Sequence, residues 1–446
     1  MEKNNHKKTM MRLAVILLLC LLLSGCSDSE APKDEVVFSA GTVSPASSAK
    51  ELTITLEPGE TELLSGLPAL EYADLSGSSC PGEISEWAAA HPEVEVKYTV
   101  NLPDGSVVDN DCQALDMSAF SGSEINAAAD SLKYLPKLKT IELGTERSGL
   151  DLDTVGKVQE ACPDAKIKYV FDLYGKETDF NNMRLNLSHI PVEDGGAAVM
   201  KAMDYMPNLT YVDMDTCGLS NEEMAAIRDA YPDIKVVWRV WFGDAYSVRT
   251  EAERILASKP SVGGMLASYN TEGLKYCTDV RFLDIGHNEG MDDISFIAYM
   301  PKLEVAVLAM NLVTDLSPLA NCPNLEYLEI QTTPVSDLSP LKGLTKLHHL
   351  NICQTDVKDI SPLFGMTELE RLWLGGYVHI SADQLEQMKA AAPNCEINTS
   401  AGDPTEGHWR YDSLEEGVYN FRYSMLRLQF GYEGKDFSFS WNDPLY

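Results

Sequence analysis

The sequence predicts an α/β solenoid, with a curved parallel sheet on the concave side and helices and 3₁₀ turns on the convex side. Three observations carry this. Leu303-Glu-Val-Ala-Val-Leu, Leu325-Glu-Tyr-Leu-Glu-Ile, Leu347-His-His-Leu-Asn-Ile and Leu369-Glu-Arg-Leu-Trp-Leu each begin 22 residues after the one before. Asp293-Ile-Ser-Phe-Ile, Asp315-Leu-Ser-Pro-Leu, Asp337-Leu-Ser-Pro-Leu and Asp359-Ile-Ser-Pro-Leu sit on the same register. A unit of the form apolar-x-x-apolar-[Pro/Thr]-x-Leu-x-x-apolar-x-apolar begins at Leu64, Leu132, Met203, Ile297, Leu319, Leu341 and Leu363.

That period and the form Leu-x-x-Leu-x-Leu define a leucine-rich repeat. Leu at the first, fourth and sixth positions points inward and stacks on its neighbours. One repeat cannot bury its apolar face alone, so adjoining repeats complete the core. Asn288 and Asn311 occupy a ladder position where an amide satisfies backbone groups at the turn, and Thr333 and Thr355 replace them further on. In Asp-x-Ser-Pro-Leu, the Ser is expected to cap a short helix or 3₁₀ turn that starts with Pro.

Taken in order, residues 1–25 read as a signal peptide. Residues 1–12 are basic, Leu13 to Leu23 is apolar throughout, and Leu23-Ser24-Gly25-Cys26 follows. The last four residues resemble the bacterial lipobox. That resemblance implies that Cys26 carries a lipid and tethers the chain to the extracytoplasmic face of the cell membrane; two acyl chains hold stably where one does not. Residues 26–50, rich in Ser, Ala, Pro and acids, read as a flexible tether.

Residues 51–279 read as long, irregular repeats, with the motif spaced about 70 apart. A second strand type explains the spacing. His91-Pro-Glu-Val-Glu-Val-Lys-Tyr-Thr-Val, Cys162-Pro-Asp-Ala-Lys-Ile-Lys-Tyr-Val-Phe and Tyr231-Pro-Asp-Ile-Lys-Val-Val-Trp-Arg-Val are copies that alternate apolar and polar residues. Helical stretches precede them, and Ser220 with Glu223 has the spacing of a capping box. Ala114-Leu-Asp-Met and Arg184-Leu-Asn-Leu read as further strands. Residues 280–400 hold the regular repeats, and the aromatic-rich residues 401–446 read as a cap over the last repeat's open edge, the alternative being that these aromatics join the binding site.

The net charge of −33 repels phosphate backbones, so nucleic acid is not an expected partner. Cys80, Cys112, Cys162, Cys217, Cys277, Cys322, Cys353 and Cys395 form no C-x-x-C pair, so neither zinc nor redox chemistry is indicated. Several, such as Cys112 and Cys322, fall on core positions where a thiol acts as a small hydrophobe.

The Leu-x-x-Leu-x-Leu…Asp-[Leu/Ile]-Ser-Pro-Leu block, about Val280 to Leu374, resembles the 22-residue repeats of internalins and related bacterial surface proteins. With the lipobox, the chain is similar to leucine-rich repeat lipoproteins of Firmicute-type bacteria. Internalins grip host proteins with the concave face. This chain departs from them in its longer early repeats and in lacking an evident wall-anchoring motif at its C-terminus. The resemblance therefore implies a fold and not a ligand.

On the strands, the third repeat position reads Tyr72, Thr140, Tyr211, Phe282, Val305, Tyr327, His349, Arg371, and the fifth reads Asp74, Glu142, Asp213, Asp284, Val307, Glu329, Asn351, Trp373. An aromatic and an acidic stripe thus run side by side, as at binding hot spots. Phe282, Asp284, Tyr327, Glu329, His349, Arg371 and Trp373 are the candidate ligand-binding residues. The ligand class is a protein, peptide or glycan with a basic feature. His348 and His349 are adjacent on a strand and are expected to face opposite ways, so no metal site is assigned, and no cofactor is implied. G-x-S-x-G, H-E-x-x-H and P-loop motifs are missing, so a non-catalytic role is expected. A carboxylate-based envelope hydrolase and a self-associating envelope protein are the alternatives.

Overall fold

The computed structural model describes residues 34–244, 246–258, 266–376, 378–400, 409–413, 418–420, 422–424 and 426. Cys26 and the signal region lie outside the described residues. The chain forms two compact units, residues 1–141 with 157–165 and residues 142–156 with 166–446.

In the first unit, strands Glu51–Thr53, Tyr72–Asp74 and Glu95–Lys97 form a parallel sheet. The register Glu51–Tyr72–Glu95 and Thr53–Asp74–Lys97 leaves Leu52, Ala73 and Val96 as the middle residues. The stretch expected to be a tether is folded from Val36 onward. Val36–Phe38 and Gly41–Val43 form an antiparallel hairpin, and Phe38 and Ala46 are buried. The Ser- and Ala-rich composition concealed a single buried aromatic anchor, Phe38.

In the second unit, Phe282–Asp284, Val305–Val307, Tyr327–Glu329, His349–Asn351 and Arg371–Trp373 lie parallel, each in register with the next. Arg254–Leu256 precedes them and Glu396–Asn398 follows, giving seven strands. Each strand is three residues long because only its middle residue must point inward. Leu283, Ala306, Leu328, Leu350 and Leu372 do so and are fully buried. The outer two residues of each strand make the two parallel columns expected from the sequence.

The turns repeat as well. Asn288 Nδ2 donates to the carbonyls of Ala257, Ile285 and Gly286 at 3.0, 2.8 and 3.1 Å, and its Oδ1 accepts from Leu266 N at 2.9 Å. Asn311 Oδ1 then accepts from Asn288 N at 2.9 Å. Thr333 and Thr355 reach only Ile330 O and Ile352 O, at 2.6 and 2.7 Å. The residue before each ladder position is left-handed: His287, Met310, Thr332, Gln354 and Gly376 have φ of 58°, 59°, 58°, 55° and 79°.

The 3₁₀ segments Ser317–Asn321, Ser339–Leu341 and Ser361–Leu363 start at Asp-x-Ser-Pro-Leu. The cap differs from expectation. The Asp supplies the acceptor: Asp315, Asp337 and Asp359 each accept from the backbone N–H of the Ser at 2.8–2.9 Å. An Asp carboxylate two residues upstream closes this turn better than the Ser hydroxyl can.

The long repeats gain their length from hairpins. In the first unit, Thr99–Asn101 pairs antiparallel with Val107–Asp109. In the second, the end of Lys166–Leu173 pairs with Lys176–Asp179, and Arg239–Phe242 with Tyr246–Arg249. Ser220 and Glu223 form the expected capping box of helix Asn221–Ala230. Among the described residues, the eight cysteines form no disulfide. Cys322 is buried in the core as expected, whereas Cys112 is only half-buried.

Asn288→Ala would remove the amide's bonds to the Ala257 and Gly286 carbonyls and to Leu266 N, while Ile285 O keeps its bond from Asn311 Nδ2 at 3.2 Å. A loss of roughly 2–4 kcal/mol is expected, read from urea denaturation. A change under about 0.5 kcal/mol would mean that water replaces the amide.

Candidate functional site

The two outer columns of the seven-stranded sheet gather most of the candidate residues. Tyr327 and His349 are neighbours in the first column, and Glu329, Asn351 and Trp373 follow one another in the second. A strand face of this kind would ordinarily be wet. Here Tyr327, Glu329, His349 and Trp373 are 2%, 1%, 3% and 0% exposed.

The cover is the chain's own C-terminal segment. Trp409, Tyr423 and Leu426 pack in one cluster with Phe282, Val305, Tyr327, Cys353 and Trp373. The Trp409 ring centroid lies 5.2 Å from Trp373, 5.5 Å from Tyr327 and 5.8 Å from His349, all tilted. These separations fall in the attractive range for aromatic pairs. The described part of the segment thus lies against the sheet face, over strands in the middle of the array, and not at its open edge as the cap reading expected. Aromatic side chains are drawn to the face because the sheet presents aromatic neighbours there.

Glu329 is the polar centre. Its Oε1 accepts from Trp409 Nε1 at 2.7 Å and from the Tyr327 hydroxyl. Its Oε2 accepts from Gln331 Nε2 at 2.9 Å and from Arg410 Nη2 at 3.1 Å. Burial alone would raise the carboxyl's pKa. The Arg410 charge and the bonds from Gln331, Tyr327 and Trp409 outweigh it and hold Glu329 below its ordinary value. Arg410 also lies over the Tyr423 ring, 4.9 Å from its centroid. Burial pushes the Tyr327 hydroxyl well up, with Glu329 adding to it.

A second contact sits at the rim. Arg422 binds Glu370 with two parallel bonds, Nε to Oε2 at 3.1 Å and Nη2 to Oε1 at 2.9 Å, and reaches Glu326 at 3.4 Å. This bidentate geometry is the strong form of an Arg–carboxylate pair. Asn420 ties the segment together, donating to Trp409 O at 2.9 Å and accepting from Tyr423 N at 2.9 Å. Arg371 Nη1 donates to Trp409 O at 3.3 Å.

His348 and His349 do not diverge as adjacent strand residues should. Both reach the Glu370 carboxylate, at 3.2 and 3.4 Å, because it bridges the two. Among the described residues, His349 Nδ1 has no hydrogen-bonding partner. Burial, with Arg422 and Arg371 acting the same way and Glu370 opposing, pushes His349 down to about 3.

Phe282 joins the cluster. Asp284 Oδ1 accepts from Gly286 N at 3.0 Å and closes its own turn. Trp409 and Tyr423 lie on this face, as the alternative reading of the C-terminal aromatics had it, whereas sequence reasoning did not single out Arg410, Asn420 and Arg422 as partners. Aromatic density at His408-Trp-Arg-Tyr and Tyr419-Asn-Phe-Arg-Tyr was the available signal, and nothing local tied it to strands 80 residues away.

A second polar network lies on the earlier strands of the same unit. Arg249 bonds Asp213 Oδ2 at 3.0 Å, Glu251 at 3.0 Å and the Tyr211 hydroxyl at 2.9 Å, while Arg239 bonds Asp215 at 3.1 Å. Its charges pair with one another. Beside it, a cleft of about 360 Å³ is lined by Lys235, Glu251, Asp279 and Lys302 among others. Asp279 is matched by Lys235 and Lys302, so this cleft presents little unbalanced charge.

Parallel three-residue strands, a side-chain ladder at each turn and 3₁₀ connections define a leucine-rich repeat protein. A family model for leucine-rich repeats (2 copies) matches residues 301–343, which include the Val305–Val307 and Tyr327–Glu329 strands. No curated protein matches the sequence. Among solved structures, the chain is similar to an internalin (inlF) of Listeria monocytogenes, at 18% identity over 79% of this chain and 83% of that one, with a TM-score of 0.30. It is similar to internalin C2 of the same organism, at 18% identity over 63% and 84%, with a TM-score of 0.28. A leucine-rich repeat protein of Leptospira interrogans matches at 14% identity over 79% and 93%, with a TM-score of 0.29.

Acid should loosen the segment. Docked, His349 is held from its ordinary 6.5 down to about 3, so its contribution to docking is complete above 6.5 and declines as pH falls towards 3. Glu370, held from 4.5 to about 2, chiefly by its bonds from Arg422, adds a loss of the same sign at lower pH. Tryptophan emission is expected to redden as pH falls from about 7 to about 5, and to redden less in His349→Gln. An identical pH profile in the variant contradicts this reading.

Proposed function

We propose that this protein is a non-catalytic recognition lipoprotein, held by Cys26 at the extracytoplasmic face of a bacterial membrane, which binds a macromolecule through the concave strand face of its later repeats. One observation supports this most. The face formed by Tyr327, Glu329, His349 and Trp373 accommodates a polypeptide stretch distant in sequence, through ring packing and a desolvated ion pair. A surface that holds one chain in this way has the chemistry of a binding hot spot. Phe282 and Arg371 extend it along the same column, and Asp284 lies at its far end. The ligand is a protein, peptide or glycan, and the C-terminal segment must move for it to enter.

The lipid anchor rests on Leu23-Ser-Gly-Cys26 after a basic and apolar leader. A tethered binder at a membrane surface gains from the high local concentration of its partners.

The test uses the full chain, tagged and expressed in a Gram-positive host, with chemical cross-linking at the cell surface and mass spectrometry of what is captured. Three chains are compared: the parent, Cys26→Ala and Glu329→Gln. The parent is expected in the membrane fraction with a captured partner. Cys26→Ala should leave the membrane fraction, and a folded Glu329→Gln should lose the partner. Equal capture by parent and Glu329→Gln would remove the strand face from the account, and membrane retention of Cys26→Ala would remove the anchor.

A further inference from the structure

The occupant of the sheet face states what that face selects. We propose that the groove around Glu329 is a receptor site for a Trp-Arg segment of a partner protein, and that the chain's own Trp409 and Arg410, with Arg422 and Tyr423, are a built-in competitor for it. The proposal rests on reading the strand face as a recognition surface and adds the chemistry of the ligand.

The argument begins with Glu329. A carboxylate 1% exposed is a costly way to fill a groove, because two charges must leave water to form the pair with Arg410. If the segment served only to cover the sheet, an apolar residue at this position would do so at lower cost. The strand supplies half of the carboxylate's bonds, from Tyr327 and Gln331, and holds it oriented. The other half is left for an occupant, and it is met by an indole N–H and a guanidinium from adjacent residues, Trp409 and Arg410. A free carboxylate flanked by aromatic rings therefore selects an aromatic N–H donor followed by a cation.

The ring seat makes the same selection. The rings of Trp373, Tyr327 and His349 each lie 5.2–5.8 Å from the Trp409 ring centroid, tilted, contacts that suit a large aromatic side chain. Glu370 and Glu326 add a rim site for a further Arg, now taken by Arg422. The groove thus offers one buried and two rim carboxylates to a basic, aromatic chain. The net charge of −33 steers such a partner towards the protein and repels acidic ones.

An intramolecular occupant is present at high effective concentration. A partner must outcompete it, so the parent binds external Trp-Arg chains weakly and an opened chain binds them well.

The experiment measures fluorescence anisotropy of a labelled synthetic peptide with the sequence of residues 407–426, titrated with the full chain. A second peptide keeps only the Trp-Arg pair in a Gly-Ser background, and a third has both residues replaced by Ala. The receptors are the parent, Trp409→Ala/Arg410→Ala, and that variant with Glu329→Gln added, each checked for folding by circular dichroism. Trp409→Leu replaces the double variant if the latter unfolds. The first two peptides are expected to bind the opened chain at least about tenfold more tightly than the parent. The third peptide, and the chain with Glu329→Gln, should show at least about tenfold weaker binding.

No binding to a folded, opened chain overturns the proposal, as does equal binding by the Ala peptide or equal binding by the parent. If the parent forms dimers that Trp409→Ala/Arg410→Ala abolishes, a second copy is the occupant, and the assignment to a partner protein is overturned. Should these peptides fail while surface cross-linking still captures a partner that Glu329→Gln loses, the ligand class falls and the proposed function stands.

Discussion

A three-residue strand has one inward side chain and two outward ones, and that constraint generates the rest of this structure. The inward column is served by stacking: Leu328 lies on Ala306 and Leu350, and each is fully buried. No single repeat can achieve this, so the array is cooperative between neighbours. The outward residues form two continuous columns with nothing of their own to pack against. In the later repeats those columns hold Tyr327, His349 and Trp373, whose rings favour packing over water, and Glu329, which needs donors once covered. Trp409, Tyr423 and Leu426 provide that packing, and any ligand for this face must provide the same.

The balance at Glu329 explains why the contact is specific and not merely apolar. Burial works against the charged carboxylate, and four donors restore it, two from the strand and two from the segment. Removing the segment would return the carboxylate to water, so opening is far less costly than breaking the pair while both charges stay buried. A docked segment held in this way can be firm and yet releasable. The neutral, buried His349 and the ionised Glu370 both make release easier in acid.

Much of the fold is legible in the sequence because it rests on periodic, local rules. The repeat frame places the strands from Phe282–Asp284 to Arg371–Trp373 and their outer columns, whereas Arg254–Leu256 and Glu396–Asn398 fall outside it, and Asn288 and Asn311 announce the ladder. The long repeats are less legible. Their hairpins turn at Asp104-Gly105, Tyr174-Gly175 and Gly243, where Gly105, Gly175 and Gly243 have φ of 86°, 81° and 59°. Those turn residues are visible, but the copied strand motif drew the reading towards parallel repeats alone. Phe38 shows the same limit, since one anchored aromatic outweighs a stretch of tether-like composition. The candidate site was legible by position and not by state: the columns hold the expected residues, yet their burial depends on residues such as Trp409, 80 positions away from Glu329.

The most direct test of the account is a double-mutant cycle between Glu329→Gln and Arg410→Met, read by hydrogen exchange at the Asn420 and Tyr423 amides. Both amides are bonded within the docked segment, to Arg410 O at 3.0 Å and Asn420 Oδ1 at 2.9 Å. The account expects the two substitutions to be coupled by about 1–3 kcal/mol, the range for contacting residues in one network. Additive effects, with coupling near zero, would contradict the claim that this buried pair holds the segment on the sheet.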